Sequence, residues 1–230
     1  MTGANLITMF RIYTHDKIKA MDGSSDDLLW TDDEILQFLS DGERAAAAGH
    51  RRLIHDTTPA VAEIAVVSGS SFYTIHDKII EFTDIALYDD AGVTCHRQLR
   101  ITTRGELDDF RPGWQHETVT GQPEFAVHDD TGIVLYPTPD DDYTLKCGVF
   151  RYPLECITQG SSPEISEQHH DDLVTYAMYK AYSVNENDKN ALQLSAKYQQ
   201  QFERIYGSPA RVQYARAGRA NRYHRSRICL

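Results

Sequence analysis

Two stretches with helical periodicity bracket a long block that has none, and this interruption limits the possible folds more than any other feature of the chain. Residues 30–54, "WTDDEILQFLSDGERAAAAGHRRLI", place Ile35, Phe38, Leu39, Ala45, Ala46 and Leu53 near one face, the spacing of an amphipathic helix. Thr31 and Glu34 make a T-x-x-E capping box, and Trp30 and Ile35 stand where a hydrophobic staple would put them. Asp32, Asp33 and Glu34 suit the positive end of the helix dipole, and Arg51 and Arg52 lie near the expected C-terminal end. Upstream, "NLITMFRIYTHDKI" reads as a shorter helix, set apart by the polar loop "DGSSDD". The helical period returns at 166–206. Ser166 is the expected cap of a helix whose stripe is His170, Val174, Ala177, Met178 and Ala181. A second helix carries Ala191, Leu194, Tyr198, Phe202 and Ile205 on one face and stops at Gly207, and the short joint "VNEND" makes the two antiparallel neighbours.

Between these stretches the runs "EIAVVSG", "KIIEFTDIALY", "GIVLYP" and "YTLKCGVFRY" are short and rich in β-branched and aromatic residues, which is strand composition. "DDAG" at 89–92, "DDTG" at 129–132 and "TPDDD" at 138–142 punctuate them as turns. The expected class is therefore α+β: a helical bundle built from N- and C-terminal segments, an inserted and mainly antiparallel β domain, and an extended C-terminal arm. The expected divisions are 1–56, 57–160, 161–207 and 208–230.

Charge separates the last of these segments from the rest. The net charge is −11, yet Ser208–Leu230 holds six arginines and no acid, so residues 1–207 stand at −17. An acidic body repels a nucleic-acid backbone, which argues against sequence-specific DNA binding by the body. No apolar run approaches the ~20 residues of a membrane span, and "MTGANLITMFRIYTHDK" is a poor signal peptide, so synthesis in cytoplasm is expected. Cys95, Cys147, Cys156 and Cys229 show no metal-like spacing and are expected to be free thiols.

The cluster His169, His170, Asp171, Asp172 invites a metal or acid–base reading, including a hydrolase. Four consecutive helical residues splay around the axis, however, and cannot all face one ion. The two aspartates are explained by the dipole of a helix start, and His170 falls on the apolar stripe. Cys95–His96 points to opposite faces of a strand, "SGSS" at 68–71 lacks a nucleophile elbow, and neither a Walker A loop nor a G-x-G-x-x-G stretch occurs. Neither a catalytic residue, a metal nor a cofactor is expected. In the tail, Pro209 and Gly218 break any long helix, while Arg216, Arg219, Arg222 and Arg225 recur every third residue with Tyr214 and Tyr223 among them. Such an arm either stays solvated, or orders on an acidic protein through Arg–carboxylate contacts and buried tyrosines, or holds phosphate. The last option makes a nucleic-acid-binding module the main alternative function.

Three segments then carry a resemblance: "LLWTDDEILQFL", "ELDDFRPGWQHETVTGQPEFAVHDDTGIVLYPTPDDDYTLKCGVFRYP" and "PEISEQHHDDLVTYAMYKAYSVNENDKNALQLSAKYQQQFERIYG". A tryptophan-led helix start, an "LD…GW…TG.P" segment, a "P.P" turn, "PEI…H..LV.YA.Y.AY" and a second helix ending in "F…(F/Y)G" follow in the order seen in tailed-bacteriophage head-to-tail adaptor, or connector, proteins. The chain resembles that family over most of residues 28–207. It departs at "EQHHDD", where His169 occupies a position that an aromatic residue is expected to hold.

The resemblance implies a structural virion protein at the neck, made in the host bacterial cytoplasm, and not an enzyme. Copies would form a ring, usually of twelve, between the portal protein and a downstream tail, tail-tube or nozzle protein, with genome DNA passing through the channel unbound and no membrane involved. It makes Ser208–Leu230 the portal-docking arm, with Arg211, Tyr214, Arg216, Arg219, Arg222, Tyr223, Arg225 and Arg227 as its contacts. Trp30, Ile35, Phe38, Leu39, His170, Leu173, Val174, Tyr176, Tyr179, Tyr198 and Phe202 become packing residues, within the bundle or between subunits.

Overall fold

In a computed structural model the described residues are 1–16, 28–49, 53–129, 131–184 and 189–207. In chain order they form α1 (Gly3–Tyr13), α2 (Asp32–Ala48), β1 (His55–Asp56), α3 (Pro59–Ala62), β2 (Glu63–Val66), β3 (Phe72–Thr74), β4 (Ile79–Asp89) and β5 (Cys95–Gln98). There follow β6 (Arg100–Thr102), α4 (Arg104–Phe110), β7 (Phe125–His128), β8 (Gly132–Tyr136), β9 (Tyr143–Arg151), α5 (His170–Val184) and α6 (Lys189–Tyr206). The chain is α+β. It divides into two compact units, one of Met1–Ile54 with the described residues from Tyr152 on, the other beginning at His55 and running to Arg151.

In the helical unit, α1, α2, α5 and α6 share one apolar core that includes Leu6, Phe10, Ile35, Leu39, Leu173, Val174, Ala177, Phe202 and Tyr206. The expected capping box forms: the Glu34 carboxylate accepts the Thr31 backbone N–H at 2.8 Å, and the Thr31 hydroxyl accepts that of Glu34 at 3.3 Å. These bonds, the backbone one first, hold the pKa of Glu34 below the usual carboxylate value. Helix α2 nonetheless ends at Ala48, short of the expected residue 54. The reason is steric. Gly49 lies so close to the end of α6 that a Cβ there would sit 2.8 Å from the Tyr206 carbonyl oxygen and 3.1 Å from the Tyr206 Cβ. The chain turns extended at that contact.

In the β unit, one sheet has the order β1-β9-β4-β5 with β2 also on β9, and the other runs β3-β8-β7-β6. Every strand pair is antiparallel except β6 with β7. Alternation explains the two apolar layers on the second sheet. Ala126, Ile133 and Leu135 join Phe82, Ile85, Leu87, Leu145 and Val149 in a core drawn from both sheets. Their neighbours Val127, Val134 and Tyr136 face the other way, onto Leu107 of α4 and Trp114. The expected turn at 89–92 closes with the Gly92 N–H on the Asp89 carbonyl, and the Asp89 side chain accepts the N–H groups of Val93 and Thr94. No described helix is long and apolar enough to cross a membrane.

Candidate functional site

The segment Glu164–Asp172 joins more distant parts of the helical unit than any comparable stretch that the sequence had singled out. It begins at a buried carboxylate. Glu43 lies on the inner face of α2, 1% exposed, and its Oε1 accepts the backbone N–H groups of Glu164 at 2.5 Å and Ile165 at 3.1 Å. The Glu164 side chain in turn accepts the N–H of Leu154 at 2.6 Å. A buried charge is tolerated when donors surround it, and here the donors belong to a loop that would otherwise carry unsatisfied backbone.

After this clamp the chain does not start α5 in the expected way. Ser166 makes no side-chain cap. Its carbonyl instead accepts the His169 N–H at 2.9 Å, a 3₁₀ turn forms over Glu167–His169, and α5 begins at His170. The backbone bond takes the place of the hydroxyl cap, because the clamped loop already delivers the chain as a tight turn.

The four polar residues separate, as splaying requires, but not into independence. Asp171 faces solvent and His170 is buried, with Nε2 at 3.1 Å from the Ile165 carbonyl oxygen. A carbonyl only accepts, so His170 carries its proton on Nε2. His169 and Asp172, three residues apart, return to one side and meet the hydroxyl of Tyr206. Tyr206 donates to Asp172 Oδ2 at 2.7 Å and lies 2.9 Å from His169 Nδ1. With its own proton committed to the carboxylate, the hydroxyl accepts from Nδ1–H. His169 Nε2 is 3.2 Å from the Gln168 amide nitrogen, a donor. The four do not converge on one point, but the i, i+3 pair has a partner in α6 that the sequence reading did not name. That hydroxyl is fully engaged and 0% exposed, an arrangement suited to joining helices. Among the described residues no group of three or more His, Cys, Asp or Glu could hold a metal ion. A cleft of about 370 Å³ runs along α2 beside Cys156–Gln159, and this cluster does not line it.

The residues expected to pack lie in and around the same core. Ile35, Leu39, His170, Leu173, Val174 and Phe202 are buried, while Trp30, Phe38, Tyr176 and Tyr198 are half-buried against them. Tyr179 is half-buried with its ring edge-on to Tyr176 at 5.4 Å. Trp30 bridges Phe10 and Tyr182, edge-on to both, and Tyr182 stacks on Tyr198 at 6.0 Å. Burial, more than the neighbouring Tyr179 and Asp41, pushes the Tyr176 phenol up to about 12, and burial likewise raises Tyr182. Two polar ties escaped the sequence reading besides Glu43 and Tyr206. Arg11 reaches Asp16 at 2.7 Å, Asp32 at 2.5 Å and the Trp30 carbonyl at 3.1 Å, and Ser195, inside the α6 stripe, donates to the Tyr179 carbonyl. A charged or hydroxyl residue falling on an apolar stripe was the signal for Glu43 and Ser195. Arg211, Tyr214, Arg216, Arg219, Arg222, Tyr223, Arg225 and Arg227 lie outside the described residues.

No curated protein matches the chain at a significant level. The family model of the SU10 adaptor protein matches residues 1–226, nearly the whole length. With that coverage, the chain belongs to the SU10 adaptor protein family, a family of phage head-to-tail adaptors whose role is structural and whose members work among other phage head and tail proteins.

Proposed function

We propose that this adaptor closes into a ring of twelve copies at the virion neck, joins the portal to the tail or its nozzle, and lets genome DNA pass through the central channel. The family match over 1–226 carries the reading, and the charge partition supports it. An acidic body of −17 over residues 1–207 repels phosphates and lets a duplex slide, whereas a basic lining would retain it with steep salt dependence. Helices α2, α5 and α6 form the bundle that lines up around the ring, with the half-buried Tyr176, Tyr179 and Tyr198 among its subunit contacts. The β block faces outward or toward the tail. Ser208–Leu230 docks on the portal through its arginines and tyrosines. Neighbour contacts in such a ring are heterologous and must close, so weak arm contacts are multiplied by the copy number.

Deletion of residues 208–230 tests this directly. The truncated chain should keep its helical and β circular-dichroism signal and fail to join adaptor-free, portal-bearing heads. Truncated protein that still joins those heads and retains their DNA would sink the arm assignment. The arginine run also favours a second reading, phosphate binding by the arm. In that case the full chain, but not the truncated one, binds a short duplex DNA with affinity that falls steeply with added salt.

A further inference from the structure

A helix that ends a folded unit ordinarily frays at its last turn, and α6 does the opposite. Its final residue, Tyr206, is 0% exposed and heads the largest fully buried side chains of the described chain. Its ring packs on Phe202 with centroids 4.6 Å apart, and its hydroxyl is held by Asp172 and His169 from the start of α5 and the turn before it. On the backbone side it meets Gly49, where a Cβ would leave no room. The next residue, Gly207, has φ 84° and returns its N–H to the Glu203 carbonyl at 2.8 Å. That left-handed step is one glycine adopts without strain. Burying a phenol costs desolvation that only good partners offset, and a bond to a carboxylate is among the stronger ones available. Stability is thus concentrated on one helix end, the one from which the arginine-rich segment departs.

We infer that Tyr206, held by Asp172 and His169, is a positioning residue that fixes the point and direction at which residues 208–230 leave the helical unit. The inference rests on the reading of those residues as the portal-docking arm. An arm with a fixed origin loses less freedom on docking than one whose root is itself loose, and it presents a higher effective concentration to its site. The hydroxyl supplies the direction by tying the last turn of α6 to the start of α5 and the turn before it.

The test is Tyr206→Phe in the full chain, which keeps the ring and removes both hydroxyl bonds. Hydrogen exchange at residues 203–207 should accelerate roughly tenfold, the scale of one bond to a charged group, while α2 and the rest of α5 keep their protection. Capture by adaptor-free, portal-bearing heads should fall several-fold, less than on deletion of 208–230. Asp172→Asn, which retains an acceptor oxygen, should fall between Tyr206→Phe and the native chain in both measurements. It also decides the matter if the phenylalanine variant fails to fold. Unchanged exchange at 203–207 overturns the inference, as does faster exchange with undiminished capture, and so does a uniform loss of protection across the helical unit, which a merely structural role would give. If deletion of 208–230 leaves capture intact, the arm reading falls and its docking consequence with it. The exchange result still shows separately whether Tyr206 holds the helix end.

Discussion

In the helical unit, the side chains that join sequence-distant segments are often polar; in the β unit they are mostly apolar. Glu43 holds 164–165, Arg11 holds 16 and 32, and Tyr206 holds 169 and 172. The β unit is joined by its strand ladders and by a core to which both sheets contribute, with the Asp56–Arg151 ion pair as a buried polar tie. The contrast follows from what each element leaves unsatisfied. A sheet pairs its backbone with distant strands directly, whereas helices satisfy their own backbone and leave loops and ends to be tied by side chains. Each unit also holds one of the two tryptophans, Trp30 or Trp114, so substituting either one leaves a fluorophore that reports on the other unit alone.

The largest expected effect lies in the β unit. Leu145 on β9 is 0% exposed in the shared core, and Leu145→Ala should cost about 3 kcal/mol, read as a lower urea midpoint from Trp114 fluorescence. The helical unit should respond nearly as strongly to the loss of a carboxylate. Glu43→Ala strands two backbone donors, at about 1–3 kcal/mol for each unsatisfied group, and Glu43→Gln should recover much of the loss by keeping one acceptor oxygen. If Glu43→Ala is nearly silent by Trp30 fluorescence, the contrast between the two units is wrong.

The sequence carried the elements of both regions and little of what joins them. β-Branched and aromatic composition and turn residues mark the strands of the β unit, and the 89–92 turn forms where "DDAG" stands. The helical stripes and the Thr31–Glu34 box were equally legible. What periodicity does not encode is the partner. The i, i+3 spacing of His169 and Asp172 is visible in the chain, but Tyr206 lies 34 residues beyond Asp172, and nothing local says that they meet. The end of α2 was missed for the same reason, since Gly49 stops it against the backbone of Tyr206. Ser166 had the right chemistry for a cap, yet a loop clamped by Glu43 gave its place to a backbone turn.

Acid should separate the units next. Burial alone would raise the pKa of Asp56, but the Thr58 N–H and the Arg151 guanidinium, 2.5 Å away, more than reverse this and lower it to about 2. A depressed carboxylate contributes its stability above its unfolded value and loses it as pH falls toward the folded one. The loss therefore spans roughly pH 4 to 2 and amounts to about 2 kcal/mol. Native protein followed by Trp114 should lose most of this in excess of Asp56→Asn between pH 6 and pH 2.5. Equal acid sensitivity in the two proteins would remove Asp56–Arg151 from the β unit's account.

The smallest effect compares like with like, because each unit contains the same capping box. Thr31 and Glu34 open α2, and Thr103 and Glu106 open α4 with the same reciprocal bonds. Replacing the cap threonine with alanine removes the same chemistry in both places, worth about 1 kcal/mol in typical proteins. The consequence should nonetheless differ. Helix α2 has 17 residues and places Ile35 and Leu39 in the main core, so Thr31→Ala should lower the stability of the whole helical unit by about that amount. Helix α4 has seven residues and holds the second sheet through one buried leucine, Leu107. Its start can open without the sheets parting, so Thr103→Ala should chiefly accelerate hydrogen exchange at 104–110 and shift the Trp114 urea midpoint by less than Thr31→Ala shifts that of Trp30. Equal midpoint shifts would mean that α4 unfolds only with the sheets, and that the β unit depends on a side-chain tie as fully as the helical unit does.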